Sequence, residues 1–222
     1  YHAGMCNRYV SPEGGDMERC WHVGARQPWR TADVFQRSPG PFVRPDRENR
    51  QGRVLVIGQW GLVPWFAETP KLTYSTTNAR FEEITTKASF KSSWTYGKRC
   101  IIPAVSFDEL NWESGKNVWW RFRRADGAPW ALAGLWNTGT DKTTGEAAES
   151  YPMLTLNADL HRLMNRMHKP DRKLRPDGQD KRSAVPIELD DVDTWLGGSL
   201  EAAAALVRLP PAEVFDAGPV TP

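Results

Sequence analysis

Residues 98–136, KRCIIPAVSFDELNWESGKNVWWRFRRADGAPWALAGLW, decide the fold. Short runs rich in apolar, aromatic and β-branched residues predict four strands there: Lys98–Val105, Phe107–Trp112, Val118–Arg123 and Trp130–Trp136. The pairs Gly115-Lys116 and Asp126-Gly127 separate the last three runs, and such glycine-containing pairs are typical of hairpin turns. Because strands joined by hairpin turns pair antiparallel, we predict an antiparallel sheet at the centre of the protein.

Outward from this core, the sequence predicts more short strands, several loops and a few helices. Further strands are predicted at residues 6–10, 53–60, 153–156 and 183–187. Apolar spacing predicts helices at residues 78–96, 157–167, 190–196 and 199–208. Polar or turn-rich composition predicts loops at residues 27–53, 61–70 and 169–181. We therefore predict an α+β fold with a mainly antiparallel, barrel-like β-sheet core and peripheral helices.

The composition excludes several classes of protein. The chain has 222 residues, 40% of them apolar and 25% charged, which suits one globular domain with a substantial core. No run approaches the roughly 20 apolar residues of a membrane helix, so we expect no membrane association. The 29 basic and 27 acidic residues exclude a strongly cationic binder but allow a local basic patch. The three cysteines form no CxxC pair, which argues against a disulfide scaffold and favours the cytoplasm.

The beginning of the chain offers an unusual nucleophile. Residues 1–4 look like an added extension, so we expect the natural chain to begin at Met5. Methionine is generally removed before a small residue, which would leave Cys6 with a free amine and a thiol. Both groups have reference pKa values of about 8, so both are available near neutral pH. Such an aminothiol condenses with an aldehyde and closes to a thiazolidine. The alternative is that Cys6 is a small apolar residue that starts a strand.

Two residues are candidates for proton transfer. Glu109 lies in an apolar strand between Phe107 and Trp112, where partial burial would raise its proton affinity. His168 follows the predicted helix at 157–167, whose dipole would favour the charged imidazole. A solvated edge-strand acid and an ordinary histidine are the alternatives. No Cys and His spacing matches a metal site, so we expect no metal and no cofactor.

Other residues suit nucleic acid. Asn78 opens a predicted helix, either as its cap or as a functional amide, and Arg80 lies where a phosphate would bind. Trp60 and Trp65 bound an aromatic segment on which bases could stack. This combination of aromatic and basic residues favours single-stranded DNA over duplex DNA. The alternative is a tryptophan-rich core with solvated basic edges, because the chain contains 11 Trp.

Taken together and in order, these residues resemble the SOS-response-associated peptidase (SRAP) family. The family's opening Met-Cys-Gly-Arg-Tyr is represented by residues 5–9, with Asn7 in place of glycine. Further family motifs follow in the family's order: Trp60-Gly-Leu-Val-Pro-Trp65, Asn78-Ala-Arg-Phe-Glu82, Cys100-Ile-Ile-Pro103 and Ala133-Gly-Leu-Trp136. The resemblance covers about residues 5–190.

Two further motifs depart from the family pattern. Gly-Phe-Tyr-Glu-Trp corresponds to residues 106–110, where Leu110 replaces the final aromatic residue. The family motif His-Asp-Arg-Met-Pro is interrupted in this chain by an inserted charged loop. His168 corresponds to the histidine of the motif, and residues 181–186 correspond to the rest. An ungapped alignment would place Arg166 at that histidine instead.

The resemblance implies a single SRAP-like domain over residues 5–222 that binds single-stranded DNA and crosslinks covalently to its abasic sites. It implies that Cys6 is the nucleophile and that Asn78 positions the sugar or the Cys6 amine. It also implies that Glu109 is the general acid and base and that His168 moves protons on the opened sugar. The residues implied to contact DNA are Arg8, Trp60, Trp65, Arg80 and Arg182.

The resemblance also implies self-removal of a leader before Cys6 and lyase cleavage of the DNA strand. Two other classes stay open at this point. One is a non-enzymatic single-stranded DNA-binding protein with a degenerate site, and the other is a cysteine peptidase. We expect a monomer whose partner is single-stranded DNA with abasic sites. A covalent adduct with abasic DNA would separate the crosslinking enzyme from the simple binding protein.

Overall fold

The computed structural model describes residues 7–23, 28–49 and 52–220. The strands, in chain order, are β1 (Arg8–Ser11), β2 (Ala32–Phe35), β3 (Pro39–Pro45), β4 (Arg53–Trp60), β5 (Asn78–Arg80), β6 (Arg99–Ala104), β7 (Ser106–Asn111), β8 (Val118–Arg124), β9 (Trp130–Leu135), β10 (Asn137–Thr140), β11 (Ala147–Tyr151), β12 (Met153–Asn157), β13 (Arg182–Ala184), β14 (Pro186–Ile187) and β15 (Phe215–Pro219). The α-helices are α1 (Gly14–Trp21), α2 (Ala88–Thr95), α3 (Val192–Gly197) and α4 (Leu200–Ala205). None of these helices is long and apolar enough to cross a membrane.

The strands form two sheets. The smaller sheet has the order β15-β8-β7-β1-β2, and all of its neighbours are antiparallel. The larger sheet has the order β10-β11-β4-β3-β6-β9-β12-β13 and curls into a half-barrel, with β14 added to β9 and β5 added to β12. Among the pairs of described strands, only β4–β11 and β5–β12 are parallel. The predicted α+β class with a mainly antiparallel, barrel-like sheet is confirmed.

Large aromatic side chains fill the space between the two sheets. Tyr9 and Phe107 from the smaller sheet, and Trp130 and Tyr151 from the larger one, belong to one buried cluster. Phe107 stacks on Phe122 with ring centroids 5.2 Å apart. A second cluster lies beneath the helices. The strand that carries Glu109 is therefore held by a rigid aromatic layer.

Three predictions of local structure are wrong. Residues 27–53 were expected to form a surface loop, but they contain β2 and β3, with Phe42 and Val43 fully buried. The helix predicted at 78–96 is instead β5, a 3₁₀ turn and α2. Asn78 is therefore a strand residue and not a helix cap, because β5 pairs in parallel with β12.

The helix predicted at 157–167 is also absent, and only Met164–Arg166 form a 3₁₀ turn. Side chains compete for the backbone there: Asn157 Oδ1 accepts from the Asp159 amide at 3.0 Å, and His161 Nδ1 accepts from the Met164 amide at 3.0 Å. His168 consequently does not end an α-helix, and the expected effect of a helix dipole on it is wrong.

Candidate functional site

A carboxylate and an imidazole lie together at β7, the middle strand of the smaller sheet. Glu109 Oε2 is 2.9 Å from His168 Nε2. Glu109 is 1% exposed and His168 is 9% exposed. A pair of this kind, held out of bulk water at hydrogen-bond distance, can pass a proton to and from a bound substrate. The structure thus brings together two of the four residues predicted to be catalytic.

Pairing along one edge of β7 explains how His168 reaches Glu109. The β1 strand covers the first half of this edge, with Arg8 opposite Asp108. Further along, Asn111 forms a bridge with Met167, and the His168 amide donates to Leu110 O at 2.6 Å. Glu109 therefore lies between the beginning of β1 and the segment that carries His168.

The beginning of β1 leads directly to the predicted nucleophile. Asn7 is the first described residue, and its Oδ1 accepts a hydrogen bond from Gln36 Nε2 at 2.8 Å. Cys6 is bonded to Asn7 but lies outside the described residues. The two described cysteines are less suited to nucleophilic chemistry. Burial raises the pKa of the Cys100 thiol well above its usual value, and burial followed by the nearby Asp16 charge raises that of Cys20.

Two arginines converge on Asp108, next to Glu109 in the sequence. Asp108 is fully buried and is ion-paired with Arg8 and bidentately with Arg121, at 2.9 and 3.0 Å. The hydrogen bonds that Arg121 donates to Asp108 raise the pKa of Arg121 above its usual value. Side chains alternate along a strand, so this cluster lies on the face of the sheet opposite to Glu109. The role of Asp108 as the anchor of Arg8 was not predicted from the sequence.

Asn78 is tied to β1 through Trp60. Asn78 pairs with Met153 at the start of β12, and the preceding carbonyl of Thr77 accepts from Trp60 Nε1 at 2.9 Å. The Trp60 ring packs edge-on against Tyr9, with centroids 5.3 Å apart. These contacts fix β5 against the strand that begins near Glu109.

The two tryptophans predicted to contact bases differ in exposure. Trp60 is fully buried, which argues against packing of its ring on a base. Trp65, five residues later, is 70% exposed and meets Phe66 edge-to-face at 5.7 Å. Of the two predicted tryptophans, only Trp65 offers a ring surface to solvent.

The predicted DNA-contacting residues Arg80 and Arg182 also differ in exposure. Arg182 is 3% exposed and is ion-paired with Glu82 at 2.6 Å and Asp180 at 3.2 Å, which argues against a contact with DNA. Arg80 is partly exposed and pairs with Asp180 at 2.7 Å and, more loosely, with Glu83 at 3.8 Å. Arg80 therefore remains available at the surface, although a phosphate would compete with two carboxylates for it.

Fold and site together define a mixed α+β protein with a buried carboxylate–histidine pair beside its first strand. The family model described as SOS response associated peptidase (SRAP) matches residues 5–222. The chain therefore belongs to the SRAP family. Among the described residues, no group of three or more His, Cys, Asp or Glu side chains is arranged to hold a metal ion.

Several relatives carry names that describe a DNA lesion. The chain is 28% identical over 190 residues to the abasic site processing protein HMCES of Xenopus tropicalis, covering 76% of this chain and 53% of that protein. It is 29% identical over 183 residues to the abasic site processing protein YobE of Bacillus subtilis, covering 75% of this chain and 80% of that protein. It is 40% identical over 101 residues to YoaM of the same bacterium, covering 44% of this chain and 42% of that protein. The alignments thus span about half or less of HMCES and YoaM.

Solved structures share the fold along nearly the whole chain. A protein from Bordetella bronchiseptica superposes with a TM-score of 0.86 and 31% identity, covering 97% of this chain and 100% of that one. A protein from Bacteroides thetaiotaomicron superposes with a TM-score of 0.79 and 19% identity, covering 97% of this chain and 92% of that one. The second similarity shows the fold alone.

Proposed function

We propose that this protein binds single-stranded DNA and crosslinks to its abasic sites through Cys6. The observation that carries the proposal is the buried Glu109–His168 pair, 2.9 Å apart, on the strand edge that β1 shares. Membership of the SRAP family and the names of three relatives support abasic DNA as the substrate. A proton-transfer pair next to the strand that follows Cys6 suits aldehyde chemistry at that residue.

The proposed reaction proceeds in two steps. The amine of Cys6 attacks the C1′ aldehyde of the ring-opened abasic sugar, and loss of water gives an imine. The Cys6 thiolate then adds to the imine carbon, and a proton is delivered to the nitrogen to complete a thiazolidine. Each step moves protons, and general acid–base catalysis typically accelerates such steps about 10²–10⁴-fold.

Glu109 and His168 have different roles in these proton transfers. Glu109 accepts the proton released when the amine attacks and returns it when water leaves. His168, hydrogen-bonded to Glu109, moves protons on the hydroxyl groups of the opened sugar. Asn78, on β5, positions the sugar or the Cys6 amine through its amide. The same pair would assist removal of residues that precede Cys6 and cleavage of the strand on the 3′ side of the lesion.

Binding of the DNA relies on groups around this site. The exposed ring of Trp65 offers a surface for a base next to the lesion. Arg80 offers a charge for a phosphate. A single strand suits this arrangement better than a duplex, because the bases must be free to stack on protein rings.

The decisive experiment uses the chain that begins at Cys6. This protein is incubated with single-stranded DNA carrying one abasic site, and the products are separated on a denaturing gel. We expect a band of slower mobility that survives denaturation. Identical DNA with an intact base at that position serves as the control and should give no such band.

A matched pair of variants tests the aminothiol itself. A chain that keeps Met5 ties the Cys6 nitrogen into an amide, which has no basic lone pair, so its thiol could form only a reversible hemithioacetal. A chain starting with Ala in place of Cys6 keeps the amine but has no thiol. Both should bind abasic DNA and form no durable adduct. If the Met5-containing chain, verified by mass spectrometry, crosslinks as fast as the chain starting at Cys6, the mechanism is wrong.

A further inference from the structure

A buried lysine lies behind the His168 segment. Lys181 is 7% exposed, and its Nζ donates to Met167 O at 2.6 Å and to His168 O at 2.5 Å. Burial lowers the pKa of Lys181 below its usual value, and the nearby Asp159 charge opposes this shift. An ammonium group taken out of water is costly unless it is well hydrogen-bonded, so these two carbonyls are its main compensation.

The carbonyls that Lys181 contacts belong to an unusual turn. His168 has a φ of 61°, in the left-handed region that residues other than glycine seldom adopt. This conformation lets the His168 amide bind Leu110 O while the chain turns away toward the exposed stretch at 169–178. The carbonyls of Met167 and His168 both accept hydrogen bonds from the Lys181 ammonium.

Lys181 is itself held from the other side. Asp159 accepts hydrogen bonds from the amides of Asp180 and Lys181 at 3.0 and 2.8 Å, and the Ala158 amide donates to Lys181 O at 2.7 Å. The lysine backbone is therefore anchored to the end of β12, and its side chain reaches back to His168. Through this connection, β12 and β13 determine where the His168 segment lies.

We propose that Lys181 is a positioning residue that clamps the left-handed turn at His168 and so aims the imidazole at Glu109. Lys181 does not contact the DNA or the reacting atoms in this scheme. The inference rests on the proposed function for its kinetic test, but the geometry it describes is independent of the substrate.

The kinetic test uses Lys181→Met in the chain that begins at Cys6. Methionine keeps the length and apolar stem of the side chain but cannot donate to the two carbonyls. A displacement of about 1 Å at a reacting group costs on the order of 10²-fold in rate, so we expect a loss of this size in the crosslinking rate at saturating DNA. The affinity for DNA should not change. Lys173→Met, on the exposed loop that follows His168, is the control and should leave the rate unchanged.

A double-variant cycle shows whether Lys181 acts through His168. If it does, Lys181→Met causes no further loss of rate in a His168→Ala protein. Equal losses in both backgrounds would overturn the proposal, because Lys181 would then act independently of the imidazole. Should Lys181→Met fail to fold, Asp159→Asn, which weakens the anchor of Lys181, is expected to slow the reaction in the same His168-dependent way, and a rate equal to the parent would overturn the proposal.

A crystal structure of Lys181→Met separates this inference from the proposed function. We expect the His168 ring to leave hydrogen-bond distance of Glu109 whether or not the protein reacts with abasic DNA. An unchanged contact between Nε2 and Oε2 would overturn the positioning role. Absence of crosslinking by the unaltered chain would instead refute the proposed function alone.

Discussion

Glu109 and His168 are 59 residues apart in the sequence and share a 2.9 Å hydrogen bond inside the protein. The carboxylate belongs to the centre of a sheet, whereas the imidazole arrives from an irregular segment that bridges the end of the same strand. The contact therefore depends on tertiary structure at both ends. A buried bond of this kind should make the two residues act as one unit.

The first prediction concerns that unit. Glu109→Gln and His168→Ala should each slow crosslinking about 10²–10⁴-fold, because each removes one member of the proton-transfer pair. The double variant should be little slower than the slower single variant, since groups that act together do not contribute additively. Single-turnover rates on denaturing gels measure all three. Rate losses that multiply in the double variant would show that the two residues work independently.

The second prediction concerns base stacking at the exposed tryptophan. Trp65→Ala should weaken binding to single-stranded DNA by about 1–3 kcal/mol, the usual contribution of one stacked base. The thermal unfolding midpoint should stay the same because the ring is 70% exposed. Fluorescence anisotropy with labelled DNA measures the affinity. Tyr96→Ala, which removes a 77% exposed ring elsewhere, is the control and should bind DNA like the parent protein.

The third prediction separates the two tryptophans. Trp60→Ala removes a fully buried ring and leaves the Thr77 carbonyl without its indole donor. We expect a loss of about 3–5 kcal/mol in the free energy of unfolding, as is usual when a large core aromatic residue is truncated. Urea unfolding followed by fluorescence measures it. A stability equal to that of the parent, combined with weaker DNA binding, would contradict the buried position of Trp60.

Sequence patterns were sufficient where the composition of a segment alone indicates a strand. The strand predicted at 53–60 has those bounds in β4, and the four runs between 98 and 136 match β6 to β9 within one or two residues. Gly115, with a positive φ, lies in the turn of the hairpin that joins β7 and β8. Gly127 also has a positive φ, but β8 and β9 belong to different sheets and do not pair, so the hairpin predicted at Asp126-Gly127 is wrong. Local composition defines the strands here, and it does not define which of them pair.

Sequence patterns failed where distant segments decide the structure. Asn78 and Arg80 form a strand only because β12 supplies its hydrogen bonds from more than seventy residues away. The strand β3 was missed for a different reason: its proline and arginine residues gave the segment a loop-like composition, although its partner β4 is the next strand in the chain. At the site, Glu109 was identifiable by its apolar neighbours. That it would lie close to His168 was expected only from the family resemblance. The clamp formed by Lys181 had no local signal, because a lysine in a charged stretch is ordinarily solvated.

The fourth prediction concerns pH and the buried Arg182. Burial alone would raise the pKa of the Glu82 carboxyl, but hydrogen bonds from Arg182 and from backbone amides outweigh it and hold that pKa below its usual 4.5. A carboxylate with a depressed pKa stabilises the fold above its unfolded-state pKa, and this stabilisation disappears as the pH falls through the folded-state value. Glu82→Gln should therefore cost on the order of 1 kcal/mol near neutral pH, because Glu82 is partly exposed.

Urea titrations of the parent and of Glu82→Gln between neutral and acidic pH measure this effect. The difference in unfolding free energy should be constant above about pH 5 and should shrink as the pH falls below 4.5. Glu201→Gln, at the start of α4, alters an exposed carboxylate and is the control. A difference between parent and Glu82→Gln that persists undiminished into acid would show that the Glu82 charge does not hold Arg182.

The last prediction concerns the salt dependence of DNA binding and the role of Arg80. Arg80→Ala should weaken binding to single strands of any sequence, and it should reduce the slope of log K against log salt by about 0.7, the value for one phosphate contact. The gain from this contact is limited by Asp180, which holds the Arg80 guanidinium at 2.7 Å in the free protein and must release it to the phosphate.

Arg19→Ala is the matched control, because it also removes an exposed arginine paired with a carboxylate, in α1. Anisotropy titrations at several salt concentrations measure both variants. If Arg80→Ala and Arg19→Ala give the same slope as the parent, Arg80 makes no phosphate contact and the basic surface lies elsewhere. If both flatten the slope equally, net charge rather than a specific contact explains the effect.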